Sequence, residues 1–278
     1  NVIFRKKRFH KIMDHEKLLD SIVTISHKAG DGILDIYNDK KKSSKIILKD
    51  DNSPLTLADK ASNTIICKEL DKLTPNIPIL SEEGKNIESI SRKEWNLFWL
   101  IDPLDGTKEF INKNGEFTVN IALIENGSPV LGVVYAPVIN ITWYGGSGIG
   151  SYKLTSNMEK NEIKVDIPKN NTNLKIVSSR SHANNPKLTK FLSQFKNYEL
   201  VKMGSSIKIC LVADGSAHIY PRFGPTMEWD TAAAHAVVKF AGGNILNVNT
   251  NKELLYNKNN LLNPEFIVNS TYKDYCNV

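Results

Sequence analysis

The sequence predicts an α/β protein whose first half is of the α+β kind. Three patterns carry this. Residues 174–248 alternate short apolar runs with amphipathic stretches, the order that covers a sheet with helices. Residues 117–154 instead alternate apolar and polar positions between turn residues, which reads as successive hairpins. Ahead of both lie two segments with helical spacing of apolar residues. At 278 residues the chain suffices for one large domain or two modest ones sharing a core. The polar, Asn- and Lys-rich stretch 155–172 divides an N-terminal half, 13–154, from a C-terminal half, 155–278.

Leu18, Leu19, Ile22, Val23, Ile25, Ile33, Leu34 and Ile36 predict a long amphipathic helix over 14–38, with Ala29-Gly30 giving close packing or a kink. Lys40–Lys45 reads as a solvated loop and Ile46–Leu48 as a short strand. Asp51-Asn52-Ser53-Pro54 is turn chemistry introducing a second helix from about Leu55 to Leu73. Ile77–Leu80 is a strand, and the apolar run from Leu97 to Ile101 a buried one, stopped at Asp102 by Pro103. Phe117–Tyr135 forms a hairpin about Glu125–Pro129, and Ile141–Tyr144 with Ser151–Leu154 a second. Its joint, Gly145-Gly146-Ser147-Gly148, is a turn and not a phosphate loop, because neither Gly-Lys-Ser/Thr nor a helix follows. In the second half, strands are predicted at Leu174–Ser178, Tyr198–Met203, Ala217–Tyr220 and Asn244–Val248. Helices are predicted at Asn185–Phe195, Ser206–Ala213 and Glu228–Ala241.

Composition removes several function classes. There are 36 Lys and Arg against 30 Asp and Glu, a formal charge of +6. Arg5, Lys6, Lys7, Arg8 and Lys11 sit in a tail, 1–12, that has no acid, so the rest of the chain is near neutral at +1. That argues against a nucleic-acid partner. The tail lacks the apolar core of a secretory signal, is expected to be disordered, and leaves Met13-Asp14 as the start of the folded protein. No apolar run approaches the roughly 20 residues of a membrane span, although peripheral association through the tail stays open. Cys67, Cys210 and Cys276 form no Cys-x-x-Cys, so neither a disulfide framework nor a zinc site is indicated; Cys67 and Cys210 read as buried thiols in a reducing cytoplasm.

The chemistry concentrates in a few acids. Asp102 and Asp105 stand three residues apart on one turn at a strand end, followed by Gly106 and Thr107. Like charges so close favour a divalent cation held by oxygen ligands. Glu82 ends the preceding strand, and adjacent strands would bring it and Asp102 to one crevice. Asp59, early in the second helix, would by itself only complement the helix dipole, and Asp230 would only be an N-cap. The alternative for Asp230 is an acid held at a cleft rim, its alanine-rich helix packing closely behind it. His235, inside that helix, reads as a packing residue.

Together, Ser53-Pro54-Leu55-Thr56-Leu57-Ala58-Asp59, Ser81-Glu82-Glu83, Asp102-Pro103-Leu104-Asp105-Gly106-Thr107 and Trp229-Asp230 resemble the inositol monophosphatase superfamily of magnesium-dependent, lithium-sensitive phosphatases. Asp105–Phe110, Asn114–Leu123, Gly132–Pro137, Ser179–His182, Gly204–Lys208 and Tyr220–Pro225 resemble its bacterial 3′(2′),5′-bisphosphate nucleotidase branch. The resemblance spans the chain from about Met13. It implies a layered α-β-α-β-α sandwich with the active site between two halves. It also implies two or more Mg²⁺ ions, one held by Glu82, Asp102 and the Leu104 carbonyl and a second by Asp102, Asp105 and Asp230. Thr107, backed by Asp59, would orient and help deprotonate the attacking water. Substrate would touch Glu82, Leu104, Asp105, Gly106, Thr107 and Asp230, with His182, Ser205, Lys208 and Arg222 meeting the nucleotide and its other phosphate. A solvated helix lysine is the competing reading of Lys208. Where relatives often carry a further acid after Glu83, this chain has Gly84, which removes no expected ligand.

The implied activity is hydrolysis of 3′-phosphoadenosine 5′-phosphate to AMP and phosphate, clearing a by-product of sulfate assimilation. The alternatives are an inositol monophosphatase or sugar bisphosphatase, and, from another class, a non-catalytic phosphate-binding protein. A cytoplasmic monomer or homodimer is expected, with peripheral association at the inner membrane left open.

Overall fold

The computed structural model describes residues 14–48, 54–84, 87–168, 173–180 and 185–270. The tail at 1–12, His182 and Cys276 lie outside these residues. Helix α1 (His15–Tyr37) starts at Asp14, whose carboxylate accepts from Lys17 N at 3.2 Å. It buries Leu18, Ile22, Ile25, Ala29 and Ile33. A Cβ on Gly30 would lie 2.3 Å from Tyr135 Cε1, so Ala29-Gly30 serves close packing, and the helix continues through it. The lysine run is not all loop: α2 (Lys40–Ser43) forms because Asp39 Oδ1 accepts from Lys41 N and Lys42 N at 2.9 and 3.1 Å. Strand β1 (Ile46–Leu48) pairs antiparallel with β2 (Pro54–Thr56), and that pairing delays the second helix, α3, to Leu57–Leu73.

The first large sheet takes β3 (Ile79–Ser81), β4 (Leu97–Asp105), β5 (Thr118–Glu125), β6 (Ser128–Ala136), β7 (Ile141–Gly146), β8 (Gly150–Leu154) and β9 (Lys160–Glu162), in sequence order. Only β3 runs parallel to its neighbour, β4. The β5–β6 turn is a tight two-residue one, with Asn126 and Gly127 at φ of 50° and 77°. Strand β9, unanticipated, lies in the polar stretch after 155. Short helices α4 (Ser89–Arg92) and α5 (Thr107–Ile111) flank β4.

The second sheet has the order β11-β10-β12-β14-β13, from β10 (Leu174–Ser178), β11 (Tyr198–Lys202), β12 (Ile219–Arg222), β13 (Asn244–Asn247) and β14 (Phe266–Asn269). Helices α6 (Pro186–Leu192), α7 (Ile207–Ala213) and α8 (Glu228–Phe240) complete it. Strand β14 was not expected. It enters between β12 and β13, antiparallel to both.

Alternating strand residues sort the core into layers. Trp99, Ile101, Val119, Ile121, Val133 and Tyr135 join the apolar faces of α1 and α3. Their neighbours Phe98, Leu100, Ala122, Ile124 and Val134 join α7 and α8, together with Val177, Tyr220 and Val268 of the second sheet. On that sheet's far face, Ile176, Ile219 and Ile267 pack with Phe191 of α6. The order is helix, sheet, helix, sheet, helix: the α/β sandwich that the resemblance implies. The alanines of α8 permit its close approach, since a Cβ on Gly132 of β6 would sit 2.2 Å from Ala233 O. Cys210 is buried as expected, whereas Cys67 is only partly covered.

Candidate active site

Strand β4 does not stop at Asp102. It bulges. Asp102 pairs with Asn120 and Asp105 with Thr118, so three steps on β4 span two on β5. The extra residue offsets the strand alternation, which would otherwise send Asp102 and Asp105 to opposite faces. Pro103, with no N–H to give a ladder, suits that position, and its carbonyl accepts from Ser62 Oγ at 2.7 Å. Leu104, also buried, donates its N–H to Asp102 Oδ1 at 3.1 Å. Gly106 then turns the chain at φ 96°, where a side chain would press on Glu116 O and Phe117, and Thr107 opens α5.

Glu82 continues the β3–β4 ladder through its N–H to Ile101 O at 3.2 Å, which sets it beside Asp102. Asp230 comes from the first turn of α8. The simple N-cap, the competing reading of Asp230, does not hold: Met227 occupies that place, and Asp230 Oδ2 accepts from Met227 N at 2.9 Å. Glu82, Asp102 and Asp230 each offer an oxygen, all lying within 4.8 Å of one another. Burial, then Glu82, Asp105 and Asp230, push the Asp102 carboxyl well above the usual range. Burial, then Asp105, push Asp230 the same way. Asp105 stands beside this trio, and its Oδ2 turns to the second half, accepting from Ser205 Oγ and Ser206 N at 2.6 Å each.

Asp59 does both things the sequence allowed. Its Oδ2 closes a capping box with Thr56, accepting from Thr56 N at 2.7 Å and Thr56 Oγ1 at 2.5 Å. Its Oδ1 accepts from Thr107 Oγ1 at 3.3 Å. The start of α3 and the start of α5 thus meet through Asp59 and Thr107.

A cavity of about 220 Å³ opens beside the acids, lined by Asp105, Ser205, Lys208, Tyr220, Arg222 and Asp230 among others. Lys208 is not a solvated helix lysine. It is buried, its Nζ donates to Ser205 O, and burial lowers its pKa to about 8 despite the pull of Asp105. Arg222 donates from Nη2 to Pro225 O at 3.0 Å, while its Nε is buried with no partner among the described residues. Sequence reading overlooked Glu116, Ser206 and Tyr220. Ser206 acts through its backbone N–H, which no residue type announces, and Glu116 sits within Asn114–Phe117 as one more surface acid.

The sequence profile of the inositol monophosphatase family matches residues 14–275. The chain belongs to that family. Within it, the 3′(2′),5′-bisphosphate nucleotidase CysQ of Salmonella typhimurium is 45% identical over 252 residues, covering 90% of this chain and 99% of that protein. CysQ of Escherichia coli K12 is likewise 45% identical over 252 residues. The crystal structure of CysQ from Bacteroides thetaiotaomicron, a bacterial member of this family, superposes with a TM-score of 0.81 at 40% identity, covering 92% of this chain and 98% of that one. SuhB of Bartonella henselae shares the fold, with a TM-score of 0.75 at 21% identity.

Proposed function

We propose that this chain is a phosphoric monoester hydrolase that removes the 3′-phosphate of 3′-phosphoadenosine 5′-phosphate, giving AMP and phosphate. The observation that carries it is the meeting of two opposed charge environments: one cavity is lined by Asp105 and by Asp230, a member of the carboxylate trio, and also by Lys208 and Arg222. A monophosphate needs only the first. The identity to the CysQ nucleotidases over nearly their whole length supports the same reading.

Carboxylates repelling each other around the buried Asp102 fit divalent metal ions, and all-oxygen donors fit Mg²⁺. Glu82, Asp102, the Leu104 carbonyl, Asp105 and Asp230 would hold them. Bound there, such ions supply Lewis-acid activation of water and stabilise the leaving oxygen. The chain's own groups do the rest. Thr107 Oγ1, donating to Asp59 Oδ1, presents a lone pair to the attacking water. As the water gives its proton to Oγ1, the hydroxyl proton passes to Asp59 Oδ1. Arg222 suits bidentate contact with the second phosphate, Lys208 a point-charge contact, and Ser205 a hydroxyl contact. His182, outside the described residues, is assigned to the same nucleotide contact. No helix among the described residues is long and apolar enough to cross a membrane. We place the enzyme in the cytoplasm, as a monomer or homodimer with a small-molecule substrate.

Initial rates on 3′-phosphoadenosine 5′-phosphate, inositol 1-phosphate and fructose 1,6-bisphosphate decide the substrate. The adenosine bisphosphate should be hydrolysed with the highest kcat/KM. A clear preference for the inositol ester would replace this substrate while keeping the chemistry.

A further inference from the structure

Asp105 belongs to the first sheet, yet its outer oxygen is held by the second half. The holder is the turn Gly204-Ser205-Ser206, in which Ser205 adopts a left-handed φ of 53°, unfavourable for a residue with a side chain. Such a conformation persists only where its surroundings fix it. Thr118 fixes one side, its Oγ1 lying 2.7 Å from both Ser205 Oγ and Ser206 Oγ. The other side is fixed by Glu116. Its Oε2 accepts from Gly204 N at 2.7 Å, and its Oε1 pairs with Arg180, which follows β10. Gly204 packs so closely that it admits no side chain, because a Cβ there would lie 2.8 Å from Glu109 Cγ and 3.0 Å from Glu116 O.

We infer that Glu116 is a positioning residue: it clamps the Gly204–Ser206 turn of the second half so that Ser205 and Ser206 fix Asp105, and with it the cation site shared with Asp230. Glu116 touches neither the acid trio nor the reacting atoms in this arrangement. It acts through two successive hydrogen-bonded links, Gly204 N–H and then the Ser205 and Ser206 donors. One carboxylate thereby ties the chain before β5, the end of β10 and the loop before α7 into one register. The kinetic part of the inference rests on the phosphatase reading, and its cation part on the hydrogen bonds that link Glu116 to Asp105.

The test measures Mn²⁺ affinity of the full chain after removal of metal with EDTA, by electron paramagnetic resonance of free Mn²⁺, alongside steady-state kinetics. Outer partners of metal ligands typically govern affinity or activity by about 10–100-fold. Glu116→Ala should raise the Mn²⁺ Kd about tenfold and lower kcat by a similar factor, with KM for the bisphosphate little changed. Glu116→Gln, whose amide oxygen still accepts from Gly204 N, should recover most of the affinity. If Glu116→Ala does not fold, Glu116→Asp carries the test, since a shorter side chain cannot hold Gly204 and Arg180 together; its Kd must also rise. An unchanged Kd in a folded Ala or Asp variant overturns the inference. If instead the wild type does not hydrolyse the adenosine bisphosphate while Glu116→Ala still weakens Mn²⁺ binding, the substrate reading falls and the clamp stands.

Discussion

Asp59 shows how a residue can satisfy a local rule and a catalytic one at once. Its two oxygens are divided, Oδ2 to the cap of α3 and Oδ1 to Thr107. Asp59→Asn cannot keep both. If the amide nitrogen faces Thr107, the hydroxyl becomes the acceptor and the proton path is reversed; if it faces Thr56, a buried N–H loses its acceptor. Turnover should fall by about 10²–10⁴, the usual worth of a general base, while Mn²⁺ affinity stays put. A variant retaining full kcat would remove Asp59 from the mechanism. His235 makes a different prediction. It is fully buried, its Nδ1 lies 2.9 Å from Tyr256 Oη, its Nε2 has no partner among the described residues, and burial depresses its pKa to about 3. The unfolded chain therefore binds one more proton than the folded one between about 6.5 and 3. This contribution is complete above about pH 6.5 and is lost as pH falls, by up to roughly 1.4 kcal/mol per unit. Urea midpoints of wild type and His235→Gln should diverge in pH dependence below 6.5; parallel curves would refute the assignment.

At the scale of the element, the end of α8 is what places Asp230. Glu228, in the same first turn and wholly buried, accepts from Asn257 N at 2.7 Å, Lys258 N at 3.0 Å and Lys258 Nζ at 2.6 Å. Arg92 of α4 grips the same loop through Asn257 Oδ1 at 2.7 Å and Lys258 O at 3.2 Å. Glu228→Ala leaves the N–H groups of Asn257 and Lys258 without their acceptor and frees the loop, while Lys258 Nζ keeps Leu255 O and Asn263 Oδ1. Destabilisation of about 1–3 kcal/mol for each orphaned N–H is expected, read from denaturant unfolding. A loss below about 1 kcal/mol would show the loop is not what anchors the helix. Asp102, Asp105 and Glu82 were legible because apolar strands announce themselves by pattern and here end at acids, whereas Asp230 was singled out through the family resemblance. Glu228 was not, since its partners lie 29 and 30 residues away in a stretch without periodicity. Strand β14 was missed for a similar reason: four residues after a polar loop carry little local signal, and only insertion between β12 and β13 makes them a strand. The bulge in β4 escaped too, because Pro103 read as a stop and pairing with β5 absorbed it.

At the scale of the whole molecule, the acids gather where the layers meet. Asp102 and Asp105 lie on the first sheet, Glu82 at its edge, and Asp230 on the helix between the sheets, whose core also unites Phe98 and Leu100 with Val177 and Val268. Without a cation these carboxylates repel one another around the buried Asp102, so this junction costs stability that the surrounding core must supply. A divalent ion reverses the sign. It binds only the folded arrangement, and a hundredfold excess over its Kd adds about 2.7 kcal/mol to the unfolding free energy. Mg²⁺ or Mn²⁺ should therefore raise the denaturation midpoint of the EDTA-treated chain, and EDTA should restore it. Asp102→Asn separates the two effects. With one repelling charge gone, the metal-free variant should be at least as stable as the metal-free wild type, yet gain nothing when the ion is added. A wild type indifferent to the ion, or an Asn variant that still responds fully, would mean that the junction is held together by its hydrogen bonds alone.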